Sequence, residues 1–281
     1  MNIPIKEVKA FTDKASGGNP AGVVILNNTT LTNRQKQKLS TRAGYSETAF
    51  IEEIDENEFK IDFFTPAKQI VHCGHATVAG FGYMLSEGII NEGEHLMHTS
   101  DGGSNKVFVK NEKIYLEQRA PVYKELKETG VSMNDISNSI GVDFSKLSDE
   151  PMIVNTGNSF LLISLDSIKD LANLKPDFSL MSSISEQLDL VGYYVFNADN
   201  QIYSRMFAPW YGINEESATG MAAGPLACYL NEVKNIDNNL FHISQGYHMS
   251  SPSPSQLTVK LQEDLNNKIV SLKVGGSVFI E

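Results

Sequence analysis

The chain has 281 residues, 41% of them hydrophobic, and a formal net charge of −11 at neutral pH. That length holds one large domain or two ordinary ones, with a sizeable core either way. The acidic balance excludes the basic surfaces that nucleic acid and anionic membranes require. Two cysteines, Cys73 and Cys228, do not make a disulfide framework. No apolar run approaches the roughly 20 residues of a membrane span. Residues 1–11 alternate like a strand, without the basic start and apolar run of a signal peptide. A reducing cytoplasm is the expected location.

In chain order, Val8–Phe11 and Ala21–Leu26 read as strands flanking a Gly-rich polar loop, Thr12–Pro20. Thr32 opens a helix through a capping box with Gln35, and Gly44 stops it. Thr48–Glu52 and Phe59–Phe64 are strand-like, with a turn at Asp55–Glu58. Gly74–Ser86 is a small-residue helix with little polar surface, ended by Gly88. Strands follow at His95–Ser100, Lys106–Val109 and Lys113–Gln118. The charged, Pro121-bearing stretch Ala120–Gly130 reads as a connection. After it come strands at Met152–Asn155 and Phe160–Ser164 and a helix near Leu180–Leu188. Strands at Leu190–Asn197 and Ile202–Phe207 precede a second small-residue helix, Thr219–Leu230. Leu240–Gln245, Gln256–Leu261 and Lys268–Val274 close the chain as strands.

The programme runs twice. Phe64-Thr65-Pro66 with Cys73-Gly74-His75-Ala76-Thr77 returns as Phe207-Ala208-Pro209 with Ser217-Ala218-Thr219-Gly220-Met221. The proline precedes Cys73 by 7 positions and Ser217 by 8. Gly18-Asn19 and Gly157-Asn158 lie upstream, 54 and 59 positions before Cys73 and Ser217. The class is α+β, with two curved sheets that each wrap a buried helix. The expected lobes are residues 1–120, completed by 262–281, and residues 131–261.

Gly74 and Gly220 sit at helix starts, where free N–H groups and the helix dipole favour an anion. Either glycine also fits a purely packing role. The duplication suggests one ligand held between two facing helix starts. Cys73 precedes such a start, where thiol pKa values fall; it reads as an acid/base group, a nucleophile, or a small buried apolar residue. Its counterpart Ser217 rules out a two-thiol mechanism. His72, Cys73 and His75 do not read as a metal site, because adjacent residues do not easily face one ion together and no second Cys/His cluster completes a tetrahedron. Glu47 alone is an ordinary carboxylate. Glu215 and Glu216 precede a helix start, where capping is the usual role; Glu216 is also placed to orient or protonate a ligand. Neither G-x-G-x-x-G nor a P-loop occurs, so no nucleotide or flavin is expected.

Four segments taken together, FTDKASGGNPAGV (11–23), SETAF (46–50), FTPAKQIVHCGHATVA (64–79) and RMFAPWYGINEESATGMAAGPL (205–226), closely resemble the PhzF-like isomerases of phenazine biosynthesis. That family is similar in fold to diaminopimelate epimerase and proline racemase. The resemblance spans essentially the whole chain. It implies a two-lobed diaminopimelate epimerase-like fold, an active site in the interlobe cleft, no cofactor, no metal, and a homodimer. It implies Glu47 as general acid/base, His75 as the site histidine, and amides beside Gly74 and Gly220 as holders of a substrate carboxylate. Glu216 stands where the family usually has Asp, Met221 where it has Ser, and Gln69 where it has Glu.

The expected catalytic residues are therefore Glu47, His75 and Glu216. The expected substrate-binding residues are Asn19, Gly74, His75, Gly220 and Met221. The expected reaction moves a proton between carbons of a small carboxylate substrate. Glu47 is the shuttle, with its pKa raised by burial. Epimerisation or racemisation of an amino acid and non-catalytic binding of a small carboxylate are the alternatives.

Overall fold

The structure is a computed structural model that describes residues 3–27 and 29–281. Met1 and Asn2, at the head of the first expected strand, lie outside the described residues. The first half contains β1 (Lys6–Ala10), β2 (Asn19–Ile25), α1 (Asn33–Ala43), β3 (Thr48–Asp55), β4 (Glu58–Phe64), β5 (Gln69–Ile70), α2 (Gly74–Ser86), β6 (Gly93–His98), β7 (Ser104–Lys110) and β8 (Lys113–Arg119). There follow β9 (Val122–Glu125), α3 (Met133–Ile140), β10 (Met152–Asn155), β11 (Ser159–Ser164), α4 (Ile168–Ala172), α5 (Phe178–Leu188), β12 (Gly192–Asn197), β13 (Ile202–Ala208) and β14 (Ile213–Glu216). The chain ends with α6 (Gly220–Cys228), β15 (Leu240–Gln245), β16 (Ser255–Glu263), β17 (Ile269–Gly276) and β18 (Val278–Ile280). The chain forms two compact units: one runs to Glu117 and takes back Gly275–Glu281, the other is Gln118–Val274.

Strand pairing carries the duplication. In the first unit β1 is antiparallel to β2, β2 parallel to β3, β3 antiparallel to β4, β4 parallel to β6, and β6 antiparallel to β7. In the second, the same sequence of directions joins β10, β11, β12, β13, β15 and β16. The register repeats too. Thr48 faces Phe64 and Tyr193 faces Phe207, so the phenylalanines that head the two sequence copies occupy one structural position. Each parallel step is made by a crossing helix, as parallel pairs require. β18 pairs with β1, and β9 pairs with β10 in the same role. Residues 122–125 are thus a strand, where the sequence reads as a connection.

The buried helix of each unit has the composition its place demands. Every residue of α2 from His75 to Gly82 is buried, and the helix packs on β1, β2, β3 and β18. Residues 222–228 of α6 are all buried, and it packs on β10, β11 and β16. Pro225 lies inside α6 and has no N–H for the Met221 carbonyl. The regular helix stops at Cys228, short of the expected Leu230, and passes into a wide turn over Tyr229–Val233. The opposite face of the second sheet presents Leu161, Ile163, Tyr193, Val195 and Phe207 to Ile136 and Ile140 of α3 and Met181 and Ile184 of α5.

Candidate active site

In the first unit, three residues from two segments meet. Glu47 lies immediately before β3, where its carbonyl accepts the Gly22 N–H at 2.9 Å. Gly22 permits this approach, since a Cβ there would lie 2.9 Å from both Thr48 Oγ1 and Tyr45 Cδ2. His75 is the second residue of α2, with Cys73 as the N-cap in extended conformation. Thr77 Oγ1 donates to the Cys73 carbonyl at 2.8 Å and fixes that turn. His75 Nε2 lies 3.2 Å from Glu47 Oε2, with side chains 5% and 14% exposed. On the other side of the ring, Nδ1 lies 3.5 Å from Cys73 Sγ. The imidazole therefore bridges a carboxylate and a thiol beside a helix N-terminus.

The electrostatics differ from the sequence expectation. Burial pushes the Glu47 carboxyl up, but the His75 contact and the Ser46 hydrogen bond outweigh it, and the group ends below the ordinary carboxylate value. Burial also disfavours protonated His75, yet the Cys73 sulfur and Glu47 carboxylate beside it hold the imidazole well above its ordinary value. Burial dominates at Cys73 and raises the thiol, against the lowering expected from its helix-start position. These directions favour a Glu47 carboxylate paired with a His75 imidazolium, and burial favours the Cys73 thiol over its thiolate.

The second unit has its own cluster around the start of α6. Glu216 ends β14, and its Oε2 accepts from Thr219 Oγ1 at 2.7 Å. Gln245, fully buried at the end of β15, accepts the Thr219 N–H at 3.1 Å and the Tyr194 hydroxyl at 3.0 Å. Its amide donates to the Glu216 carbonyl at 2.7 Å and to Thr219 Oγ1 at 3.2 Å. All four polar directions of this amide are used, which fixes its orientation and the entry to α6. Gly220 and Met221 are half-buried at the first turn, where N–H groups have no acceptor within the helix. Asn158 Nδ2 reaches Met221 Sδ at 3.2 Å. Glu215 does not cap the helix; Arg205 holds it in a two-point ion pair at 2.7 and 2.9 Å.

Glu47, Gly74 and His75 come together in the first unit, and Glu216, Gly220 and Met221 in the second. Asn19 is buried at the start of β2, opposite Ala10. Trp210 and Tyr211 stack edge to face in an exposed turn. Gln245 escaped the sequence reading, since nothing nearby in the chain announces its partners. Glu47, Cys73 and His75 also offer a carboxylate oxygen, a sulfur and a nitrogen within 4.8 Å of one another, a donor set able to hold a metal ion. His72 is not in this set, whereas Cys73 and His75, two positions apart, both belong to it. A groove of about 720 Å³ elsewhere in the first unit is walled by Glu52, Glu53, Asp55 and Glu56 and shares no residue with this cluster.

Residues 8–281 match the model of the PhzC-PhzF family, described as phenazine biosynthesis-like proteins. The chain belongs to this family. An uncharacterised isomerase of Clostridium acetobutylicum is 31% identical to this PhzC-PhzF protein, over 98% of the present chain and 94% of the relative. Among solved structures, a PhzF-family phenazine biosynthesis protein of Bacillus anthracis superposes with a TM-score of 0.87 at 22% identity, covering 99% of this chain and 96% of that one. A hydroxyproline epimerase of Agrobacterium vitis, with bound trans-4-hydroxy-L-proline, gives a TM-score of 0.62 at 11% identity over 99% and 90%. The fold is therefore the α+β, epimerase-like fold that the family shares with such epimerases.

Proposed function

We propose that this PhzC-PhzF protein is an isomerase that moves a proton between carbons of a small carboxylate substrate without a cofactor. The observation that supports it is the buried contact of Glu47 with His75 at 3.2 Å beside the N-terminus of α2. A base must be unprotonated before reaction, and the pairing keeps the Glu47 carboxylate so at neutral pH. The substrate carboxylate sits at the start of α2, where the Gly74 amide and the helix dipole favour it. Glu47 removes a proton from a carbon made acidic by neighbouring unsaturation and delivers it to another carbon of the same molecule. The His75 imidazolium faces the negative charge that develops between the two steps. The same reading gives Glu216, Gly220 and Met221 a part in holding substrate.

The test is Glu47→Gln, which keeps shape and removes the base. Incubated with unsaturated cyclic and acyclic amino acids in deuterated water, wild type incorporates solvent deuterium at carbon. The variant binds the same compound with exchange reduced by about 10²–10⁴-fold. Unchanged exchange in the variant removes Glu47 from the mechanism. One observation favours a second reading, epimerisation at a single carbon: the Cys73 thiol lies 3.5 Å from His75 and offers a second proton donor. In that case the wild-type product is the stereoisomer of the substrate, and Cys73→Ser loses that product while Glu47 still exchanges the proton with solvent.

A further inference from the structure

We infer that Cys73 and His75 form an exchangeable site for a thiophilic divalent cation of the zinc class, and that occupancy switches the Glu47 cluster off. The inference concerns the residues of the proposed reaction, yet it rests on donor geometry alone. Zinc binds thiolate at about 2.3 Å and imidazole nitrogen at about 2.0–2.1 Å, so tetrahedral coordination separates the two donors by about 3.5 Å. The Cys73 Sγ to His75 Nδ1 distance is 3.5 Å, the separation that these two donors take on one ion. The far nitrogen is already engaged, because Nε2 lies 3.2 Å from Glu47 Oε2. A carboxylate on the distal nitrogen of a histidine fixes the ring orientation and strengthens the metal-facing nitrogen. Glu47 therefore acts in the outer sphere of the ion.

Two protein donors leave two positions of a tetrahedron open. That distinguishes this site from a structural zinc centre, which closes all four with protein ligands. Solvent or a substrate carboxylate fills the open positions, so the ion exchanges. Binding displaces the Cys73 thiol proton and the Nδ1 proton of His75 to solvent, and no electron is transferred. With the ion bound, His75 no longer carries a free positive charge toward substrate, and Glu47 is committed to holding the ring. The other cysteine offers no such set, since Cys228 is buried inside α6 and belongs to no group of three donors among the described residues.

The experiment is a calorimetric titration of the reduced, metal-stripped full chain with zinc chloride. A parallel cobalt titration is read by its thiolate charge-transfer absorption. The expected result is one ion per chain, loss of binding and of the absorption band in Cys73→Ser, and affinity about 10–100-fold weaker in Glu47→Gln. Cys228→Ser, outside the cluster, binds as wild type does. Stoichiometric zinc abolishes solvent exchange, and a chelator restores it. Absence of binding in wild type, full binding in Cys73→Ser, or full exchange at saturating zinc overturns the inference. The binding arms need no turnover. A failure of the proposed reaction therefore leaves them readable, and a failure of the zinc site leaves the deuterium test of Glu47 intact.

Discussion

Replacing Gln245 with Met removes a polar cross-brace while nearly conserving volume. The side chain is fully buried and makes four hydrogen bonds, to Thr219 N, Thr219 Oγ1, the Glu216 carbonyl and the Tyr194 hydroxyl. Ser204 Oγ, 2.9 Å from the Tyr194 hydroxyl and 3.4 Å from the Ser244 carbonyl, turns to donate to Ser244 and accepts the tyrosine proton, and Thr219 Oγ1 keeps Glu216 Oε2 at 2.7 Å, so neither is stranded. The buried Thr219 N–H loses its acceptor, which costs about 1–3 kcal/mol, and the bond to the Glu216 carbonyl adds about 1 kcal/mol. The expected loss is therefore about 2–4 kcal/mol. For a unit of this size that lowers the thermal midpoint by about 5–15 °C. Circular dichroism melts of wild type, Gln245→Met and Gln245→Glu measure it. Gln245→Glu keeps both acceptor contacts and loses both donations, so it also destabilises, with a burial cost for its charge. A midpoint within 2 °C of wild type for Gln245→Met would show that the amide does not hold the start of α6. Because the brace positions Glu216, the proposed reaction also predicts a raised KM in folded Gln245→Met.

Two further predictions come from the first unit. Lys36 of α1 and Asp62 of β4 form an ion pair with both side chains 7% exposed, and Gln69 donates to the same carboxylate. Lys36→Met leaves Asp62 buried without its cation and costs about 3–5 kcal/mol by chemical denaturation, while Lys36→Met with Asp62→Leu recovers most of the loss. The Glu47–His75 pair gives a pH signature. The Glu47 value is lowered from 4.5, so its contribution is present above that and lost as pH falls through the folded value. The His75 value is raised from 6.5, so its contribution is present below that and lost as pH rises through the folded value. The stability difference between wild type and His75→Asn is then largest between pH 4.5 and 6.5. A difference that grows steadily above pH 6.5 refutes the pairing.

What the sequence disclosed depended on how local each signal was. α1 was legible because Thr32, Gln35 and Gly44 all act within the helix, and the structure has the reciprocal cap at Thr32 and a left-handed Gly44. α3 carries the same signals in Ser132, Asp135 and Gly141, yet its body, MNDISNSI, is mostly Asn, Ser and Asp, which favour turns in isolation. Tertiary burial of Ile136 and Ile140 makes it a helix. β9 was hidden by its charge and by Pro121, both ordinary features of an edge strand. Glu47 was marked by the family resemblance rather than by its own surroundings. The sign of its pKa shift depends on His75, which only the folding of α2 against β3 brings near. Gln245 lies 26 positions from Thr219 and 51 from Tyr194, beyond any local pattern.

The duplication also explains why the proposed base exists once. With Asn19 set against Asn158, Gly22 corresponds to Leu161, and these residues pair with Thr48 and Tyr193 respectively. The residue before Thr48 is Glu47, and the residue before Tyr193 is Gly192. A Cβ at Gly192 would lie 2.3 Å from the Phe207 carbonyl oxygen, so the second unit admits no side chain at that position. With the helix starts Gly74 and Gly220 aligned, the neighbouring positions diverge in the same sense, with Thr219 for Cys73 and Met221 for His75. The second copy has no counterpart of Glu47, Cys73 or His75; its own acid at the helix start, Glu216, comes from β14, and it retains the half-buried first turn of α6. That division follows from backbone packing at Gly192 before any chemistry is considered. It predicts that Gly192→Glu, placed to rebuild an acid in the second unit, disrupts β12 and β13. The check is a melt of that variant: overpacking against a backbone carbonyl costs at least about 1–3 kcal/mol, and a melt matching wild type would sink the steric argument.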